Sequence, residues 1–164
     1  MARYIETTEV AKLIRKVLKK NFAGQKFRVR SNKYSGGSSI YVSYTDGPLQ
    51  SDVEALVGSF KGATFNGMID MKEYHDSVLD GEAVSFGNDF LFVDREFSDE
   101  VQAATKAKIE ELTGEKFDYI KNYAAYVSDE GELRKVSGTM SYGSDLFNKL
   151  MRRQDLYRKE LVTA

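Results

Sequence analysis

The chain has 164 residues, of which 41% are hydrophobic and 30% charged, so a folded domain is expected rather than a disordered segment. It has no cysteine, which excludes disulfides, thiolate metal sites and cysteine nucleophiles. The first residues lack the apolar run of a signal peptide, and no stretch reaches the roughly 20 apolar residues of a membrane span. We therefore expect a cytoplasmic protein without a membrane partner.

The net charge of −1 conceals a strong asymmetry along the chain. Residues 1–35 hold ten Lys and Arg against two acids, a net of +8, whereas residues 45–100 hold three against thirteen, a net of −10. Two interpretations stay open: a basic and an acidic face for different partners, or two lobes that neutralise each other in the fold.

Two blocks of helix and hairpin are predicted. In the first, residues 7–22 form a helix, because apolar residues recur at the spacing of one helical stripe: Val10, Leu13, Ile14, Val17 and Leu18. Alternating residues predict strands over 26–30 and 39–44, joined as an antiparallel hairpin. A helix follows over 51–60.

The second block begins after residues 61–82, which we expect to be irregular. A hairpin is predicted over 83–97 with its turn at 87–89, followed by a helix that Ser98 caps and Gly114 ends. Residues 116–127 fit either helix or strand, and a last helix is predicted over 144–161.

This order predicts an α+β fold, with an antiparallel sheet built from two hairpins, helices packed on one side and a helical C-terminal tail. The corresponding division is one domain over residues 1–114 and a helical extension over 115–164 packed on the same body.

The outward side of the first hairpin is the best candidate for a binding surface. Cations interleaved with aromatic rings suit nucleic acid, since charge follows the phosphates and rings stack on bases. An acidic protein partner or an ordinary polar face are the alternatives. The candidate residues of this surface and its loop are Lys26, Arg28, Arg30, Lys33, Tyr34, Gly36, Gly37 and Tyr41.

The loop from Ser35 to Ser38 contains two adjacent glycines, which let backbone N–H groups approach a ligand closely. Beside Lys33 and Arg30, these groups would suit a phosphate or another anion. The alternative is a flexible hairpin tip without a ligand.

No catalytic pattern is evident, so we expect no enzyme and no cofactor. There is no nucleophile elbow and no phosphate-binding loop motif. The single histidine, His75, lies among acids that include Asp70, which leaves a metal-dependent enzyme as a remote alternative to an exposed surface residue.

Several segments together resemble a known family. They are Phe27 to Ser31, Tyr34 to Ile40, Tyr44 to Pro48, Phe65 to Asp70 and Phe90 to Ser98. This set, above all Ser-Gly-Gly-Ser combined with Asp-Gly-Pro, resembles the large polyvalent protein-associated domain of type twenty-nine. The resemblance covers about residues 7–100 and does not extend to the tail from 115.

The resemblance implies a protein of phages or other mobile genetic elements, whose domains accompany incoming DNA or oppose host defences. It implies no catalytic residues. The leading hypothesis is a counter-defence protein that binds a host nucleoprotein such as a CRISPR effector, with the acidic segment 45–100 imitating DNA. The alternative is a general module for DNA or RNA, and a homodimer is compatible with either.

Overall fold

Residues 1–138 and 140–158 are described in the computed structural model of the chain. They mix helices with short, mainly antiparallel sheets, which confirms the predicted α+β class. The chain divides into two units, the first formed by residues 1–44 and 50–95, the second by residues 45–49 and the described residues from 96 onward.

The first unit holds eight strands and two helices, with one turn of 3-10 helix at Gly58–Phe60. Their bounds are β1 (Arg3–Ile5), α1 (Thr7–Asn21), β2 (Arg28–Tyr34), β3 (Gly37–Thr45), α2 (Gln50–Val57), β4 (Ala63–Asn66), β5 (Met71–Tyr74), β6 (Asp76–Leu79), β7 (Glu82–Phe86) and β8 (Phe90–Glu96).

The first predicted hairpin is confirmed. β2 and β3 pair antiparallel with Arg28 opposite Ser43 and Arg30 opposite Tyr41. The strands are longer than expected, because most of the predicted loop over 31–38 pairs as well. β8 lies on the other side of β3 and completes a three-stranded sheet in the order β2-β3-β8.

The predicted second hairpin over 83–97 is wrong, because β7 and β8 belong to different sheets. β7 lies between β1, to which it is parallel, and β6, to which it is antiparallel. The segment at 87–89 does not turn back, since Gly87 N–H donates to Ile5 C=O at 2.8 Å and Asp89 N–H donates to Ser38 C=O at 3.0 Å. These bonds carry the chain from one sheet to the other.

The expectation of irregular structure over 61–82 is also wrong. β4 and β5 pair antiparallel and form an arm, with Phe65 opposite Lys72. β6 and β7 form a tight hairpin whose two connecting residues, Asp80 and Gly81, have φ of 51° and 83°. Asp-Gly with positive φ at both residues is the signature of a two-residue hairpin turn.

The core of the first unit lies between α1, α2 and the inner faces of its sheets. The predicted stripe of α1 is buried at Val10, Ile14 and Leu18, which belong to the same cluster as Val29 and Ile40 of the first hairpin. Helix periodicity and strand alternation therefore point to one shared apolar interior, as the sequence predicts.

The second unit contains two helices and four very short strands. Ser98 caps α3 and Gly114 ends it with φ of 73°, as predicted. The last helix is confirmed as α4, and residues 159–161 of its predicted range lie outside the described residues. The elements are α3 (Asp99–Thr113), β9 (Asn122–Tyr123), β10 (Ala125–Val127), β11 (Leu133–Lys135), β12 (Ser141–Tyr142) and α4 (Gly143–Arg153).

The division between the units differs from the predicted boundary at residue 114. α3 falls in the second unit, because its fully buried Ile109 packs in a cluster with Tyr123, Leu146 and Leu150. None of the helices in the described ranges combines the length and the apolar content needed to cross a membrane.

Truncation of the α1 stripe tests this core. Ile14 is fully buried, so Ile14→Ala should lower the free energy of unfolding by about 2–5 kcal/mol through lost apolar burial and a residual cavity. Met68→Ala is the control, since Met68 is 96% exposed and its truncation should change stability by less than about 0.5 kcal/mol. Urea denaturation followed by circular dichroism measures both, and equal midpoints for the two variants would contradict the packing described.

Candidate nucleic-acid interface

The outward side of the β2-β3-β8 sheet carries the candidate site. Along β2, Arg28 and Arg30 are exposed and Val29 between them is buried, which confirms the predicted alternation. Tyr41 lies opposite Arg30 in the neighbouring strand and is 47% exposed. We use the name outer face for the exposed surface formed by Arg28, Arg30, Tyr41 and the aromatic residues of β8.

Three aromatic rings form a ladder on the outer face. Tyr41 stacks on Phe92 with ring centroids 5.1 Å apart and an interplanar angle of 25°. Phe92 in turn stacks on Phe90 at 6.0 Å and 14°. Phe92 is 46% exposed, whereas its neighbours in sequence, Leu91 and Val93, pack against the core. Tyr41 and Phe92 thus each keep nearly half of their surface exposed in the sheet that also carries Arg28 and Arg30.

Lys72, on the β4–β5 arm, closes one end of the ladder. Its ammonium nitrogen lies 5.3 Å from the centroid of the Phe90 ring, a cation–π contact. The same nitrogen lies 3.1 Å from Asp89 Oδ2 and donates to the Gly36 carbonyl at 2.9 Å. Lys72 thereby joins the arm, the hairpin turn and the start of β8.

The loop at Gly36 and Gly37 packs against Asp89. The N–H of Ser38 donates to Asp89 Oδ2 at 2.9 Å, so a carboxylate of the chain itself already occupies the place predicted for an anion. Gly37 has φ of 151°, and a Cβ there would collide with Asp89 Oδ2. The glycine is therefore needed for close packing against Asp89.

Asp89 is held in its charged form. Burial raises the pKa of this carboxyl, but the hydrogen bonds from Ser38 N–H, Lys72 and Tyr74 outweigh burial, so the pKa lies below its usual value. The hydrogen bond to Asp89 likewise raises the pKa of Lys72. The pair is ionised across the neutral pH range and fixes the hairpin turn electrostatically.

The other predicted residues are distributed around this surface. Lys26 is exposed but precedes β2. Lys33 alternates away from Arg30 and forms an ion pair with Glu6, which raises the pKa of Lys33. Tyr34 is 45% exposed at the end of β2, opposite Gly37. The structure thus brings Arg28, Arg30 and Tyr41 together and places Lys33 on the other side of its strand.

Sequence reasoning missed Phe90, Phe92 and Lys72. The alternation of Phe90 and Phe92 with Leu91 and Val93 was visible and marks two faces of a strand. Tyr41, which stacks on Phe92, lies about fifty residues earlier in the chain. No local sequence pattern connects these two segments.

His75 directly follows the β4–β5 arm. His75 is exposed, and its Nε2 lies 2.8 Å from the hydroxyl of Thr64 across the arm. Over residues 1–138 and 140–158, no group of three or more His, Cys, Asp or Glu side chains is arranged to hold a metal ion.

A family model of the large polyvalent protein associated domain 29 matches residues 5–98 of the chain. The chain belongs to this family. The match covers more than half of the sequence and spans α1 to β8, with the outer face and the Asp89–Lys72 pair inside it. Membership of the domain 29 family associates the chain with phages and mobile genetic elements. No curated protein and no solved structure gives a significant match.

The ionisation of Asp89 makes a testable contribution to stability. Because its folded pKa is depressed, the contribution is complete above the unfolded value of about 3.9 and is lost as the pH falls through the folded pKa. Asp89→Asn should therefore be less stable than the wild type at pH 6, and the difference should shrink toward pH 2. Urea denaturation at several pH values measures it.

Asp94→Asn serves as the control, since Asp94 is an exposed carboxylate in β8, the strand that directly follows Asp89. A constant difference between the wild type and Asp89→Asn from pH 6 to pH 2 would contradict the role given to the Asp89 charge.

Proposed function

We propose that this domain 29 protein acts by binding rather than catalysis, and that its outer face binds single-stranded nucleic acid. The observation that carries the proposal is the ladder of Tyr41, Phe92 and Phe90 beside Arg28 and Arg30. Exposed rings stack on bases of any sequence, and guanidinium groups contact the phosphates between them.

A single strand fits the outer face better than a duplex does. In a duplex the flat sides of the bases are covered by their neighbours, so rings lying on a sheet surface reach only the phosphates and the groove edges. In a single strand the flat sides are available to Tyr41 and Phe92, whose exposed fractions are 47% and 46%. Stacking of this kind contributes about 1–3 kcal/mol per base.

The charge of the outer face predicts a modest dependence on salt. Arg28 and Arg30 are exposed, whereas Lys72 is paired with Asp89. Each phosphate neutralised on a single strand contributes about 0.7 to the slope of log K against log salt concentration. Two arginines therefore account for a slope of about 1.4, and stacking supplies the part of the affinity that salt does not remove.

The double variant Arg28→Ala/Arg30→Ala tests the electrostatic part. Its affinity for a labelled single strand should fall, and its salt slope should decrease by about 1.4 because two phosphate contacts are lost. Fluorescence anisotropy with DNA and RNA oligonucleotides between 50 and 300 mM salt measures both quantities.

The matched control is Lys116→Ala/Lys149→Ala, which removes two exposed cations of the second unit. It should retain the affinity and slope of the wild type. Unchanged affinity and unchanged salt slope in Arg28→Ala/Arg30→Ala would contradict the proposal that the outer face binds nucleic acid.

The β4–β5 arm favours a second candidate function, binding to a host defence nucleoprotein such as a CRISPR effector. The arm exposes apolar side chains next to acids, among them Met68 at 96%, Ile69 at 57% and Met71 at 61% exposure, beside Asp70 and Glu73. Large exposed apolar groups mark interaction surfaces, and the acids suit a basic channel that otherwise holds nucleic acid.

The second candidate predicts capture of a host protein independent of nucleic acid. A tagged wild-type chain should retain a defence nucleoprotein from a bacterial lysate after nuclease treatment, and Met68→Ala/Ile69→Ser should release it. Arg28→Ala/Arg30→Ala is the control that keeps the arm intact. Recovery that disappears with nuclease would contradict this candidate and leave the outer face as the binding surface.

A further inference from the structure

A cavity of about 340 Å³ opens beside the end of the β2–β3 hairpin. Its volume falls at the lower end of the roughly 300–1,000 Å³ typical of small-molecule sites. Residues of β1, α1, β2, β3, β5 and β7 line it, so it is formed only when the first unit has folded.

Three tyrosines from three different strands form the rim of this cavity. Tyr4, Tyr34 and Tyr74 line it, and all three are substantially exposed, at 59%, 45% and 67%. The ring of Tyr4 lies against Gly87, where a Cβ would come within 2.8 Å of the Tyr4 Cζ atom. Tyr74 is held by its hydrogen bond to Asp89. The rim thus offers three aromatic rings, of which Tyr4 packs against Gly87 and Tyr74 is bonded to Asp89.

The polar floor of the cavity is satisfied internally. The Ser38 hydroxyl donates to the Gly87 carbonyl at 2.7 Å, and the Thr7 hydroxyl lies 2.9 Å from that of Ser38. An uncharged ring can therefore cover this floor without breaking a hydrogen bond or leaving a polar group unpaired.

The charges that line the cavity are balanced in pairs. Lys33 is paired with Glu6, and Asp89 is paired with Lys72. A neutral cavity does not favour a phosphate or an ammonium group, whereas its aromatic rim favours a flat, uncharged ring. Lys33 and Glu6, which also line the cavity, contribute a donor and an acceptor to its wall.

The cavity lies next to one end of the aromatic ladder. From Tyr41 the ring contacts run through Phe92 to Phe90, and Lys72 lies over Phe90. Lys72 is bonded to Asp89, which lines the cavity. A strand that stacks on the ladder and continues past Phe90 therefore approaches the cavity.

We infer that this cavity receives one unstacked base of the single strand bound on the outer face. The inference rests on the proposed nucleic-acid function and assigns to it a base-binding pocket with Tyr34 at its rim. Stacking on the rim contributes to affinity in the same way as stacking on the ladder.

Pentathymidylates that lack one base, with the abasic position moved along the strand, test the pocket. The wild type should bind one of these oligonucleotides about 5- to 150-fold more weakly than intact pentathymidylate, because its missing base no longer fills the cavity. In Tyr34→Ala the abasic position should no longer reduce the affinity, because the pocket has already lost its rim. In Phe92→Ala the reduction should persist, since Phe92 does not line the cavity; the comparison is a double-mutant cycle between base and side chain. Fluorescence anisotropy with the full chain measures each combination.

Two further variants keep the result interpretable. Tyr34→Phe retains the ring and should retain the positional loss, and Tyr142→Ala, an exposed tyrosine of the second unit, should behave as the wild type. If intact pentathymidylate binds but the effect of an abasic position is the same with and without Tyr34, the pocket is refuted, while binding by the outer face is not. If the wild type binds no single strand, the proposed function fails and the pocket fails with it.

Discussion

The Asp89 carboxylate connects three parts of the first unit that are distant in sequence. It accepts hydrogen bonds from the N–H of Ser38 in the hairpin and from the ammonium of Lys72 in the arm, and it directly precedes β8. Together with the bond from Lys72 to the Gly36 carbonyl, these bonds fix the hairpin turn next to the arm. The position of the ladder and the closure of the cavity both depend on this arrangement, because Phe90 follows Asp89 directly and Lys72 lies over the Phe90 ring. A buried charge of this kind is stable only while its partners are present.

The asymmetry of charge along the chain has more than one structural outcome. Part of it is neutralised within the first unit, where Arg3 of the basic segment lies 3.6 Å from Glu82 of the acidic segment. Part of it remains at the surface, since Arg28 and Arg30 are exposed on the outer face. Asp89 uses its charge internally to fix the turn. The two interpretations that the sequence left open therefore each describe some of the charged residues.

The features that were predictable from sequence are those with local causes. The stripe of α1, the Ser98 and Gly114 caps of α3 and the alternation around Val29 each depend on residues a few positions apart. The pairing of β8 with β3 and of β7 with β1 depends on contacts between distant segments, so a hairpin over 83–97 was a reasonable but wrong local solution. The cavity could not be predicted from sequence for the same reason, since its tyrosines come from β1, β2 and β5. The turn at Asp80 and Gly81 is different: its dipeptide signal was present and was overlooked.

The central claim is that the outer face binds a single strand by stacking and phosphate contacts. Nuclear magnetic resonance of the labelled chain, titrated with a short oligothymidylate, tests it most directly because each ring and each guanidinium group is observed separately. The account predicts concentration-dependent shifts of the Tyr41, Phe90 and Phe92 ring signals together with the Arg28 and Arg30 side chains. Shifts confined to the β4–β5 arm, with the ladder unchanged, would contradict it.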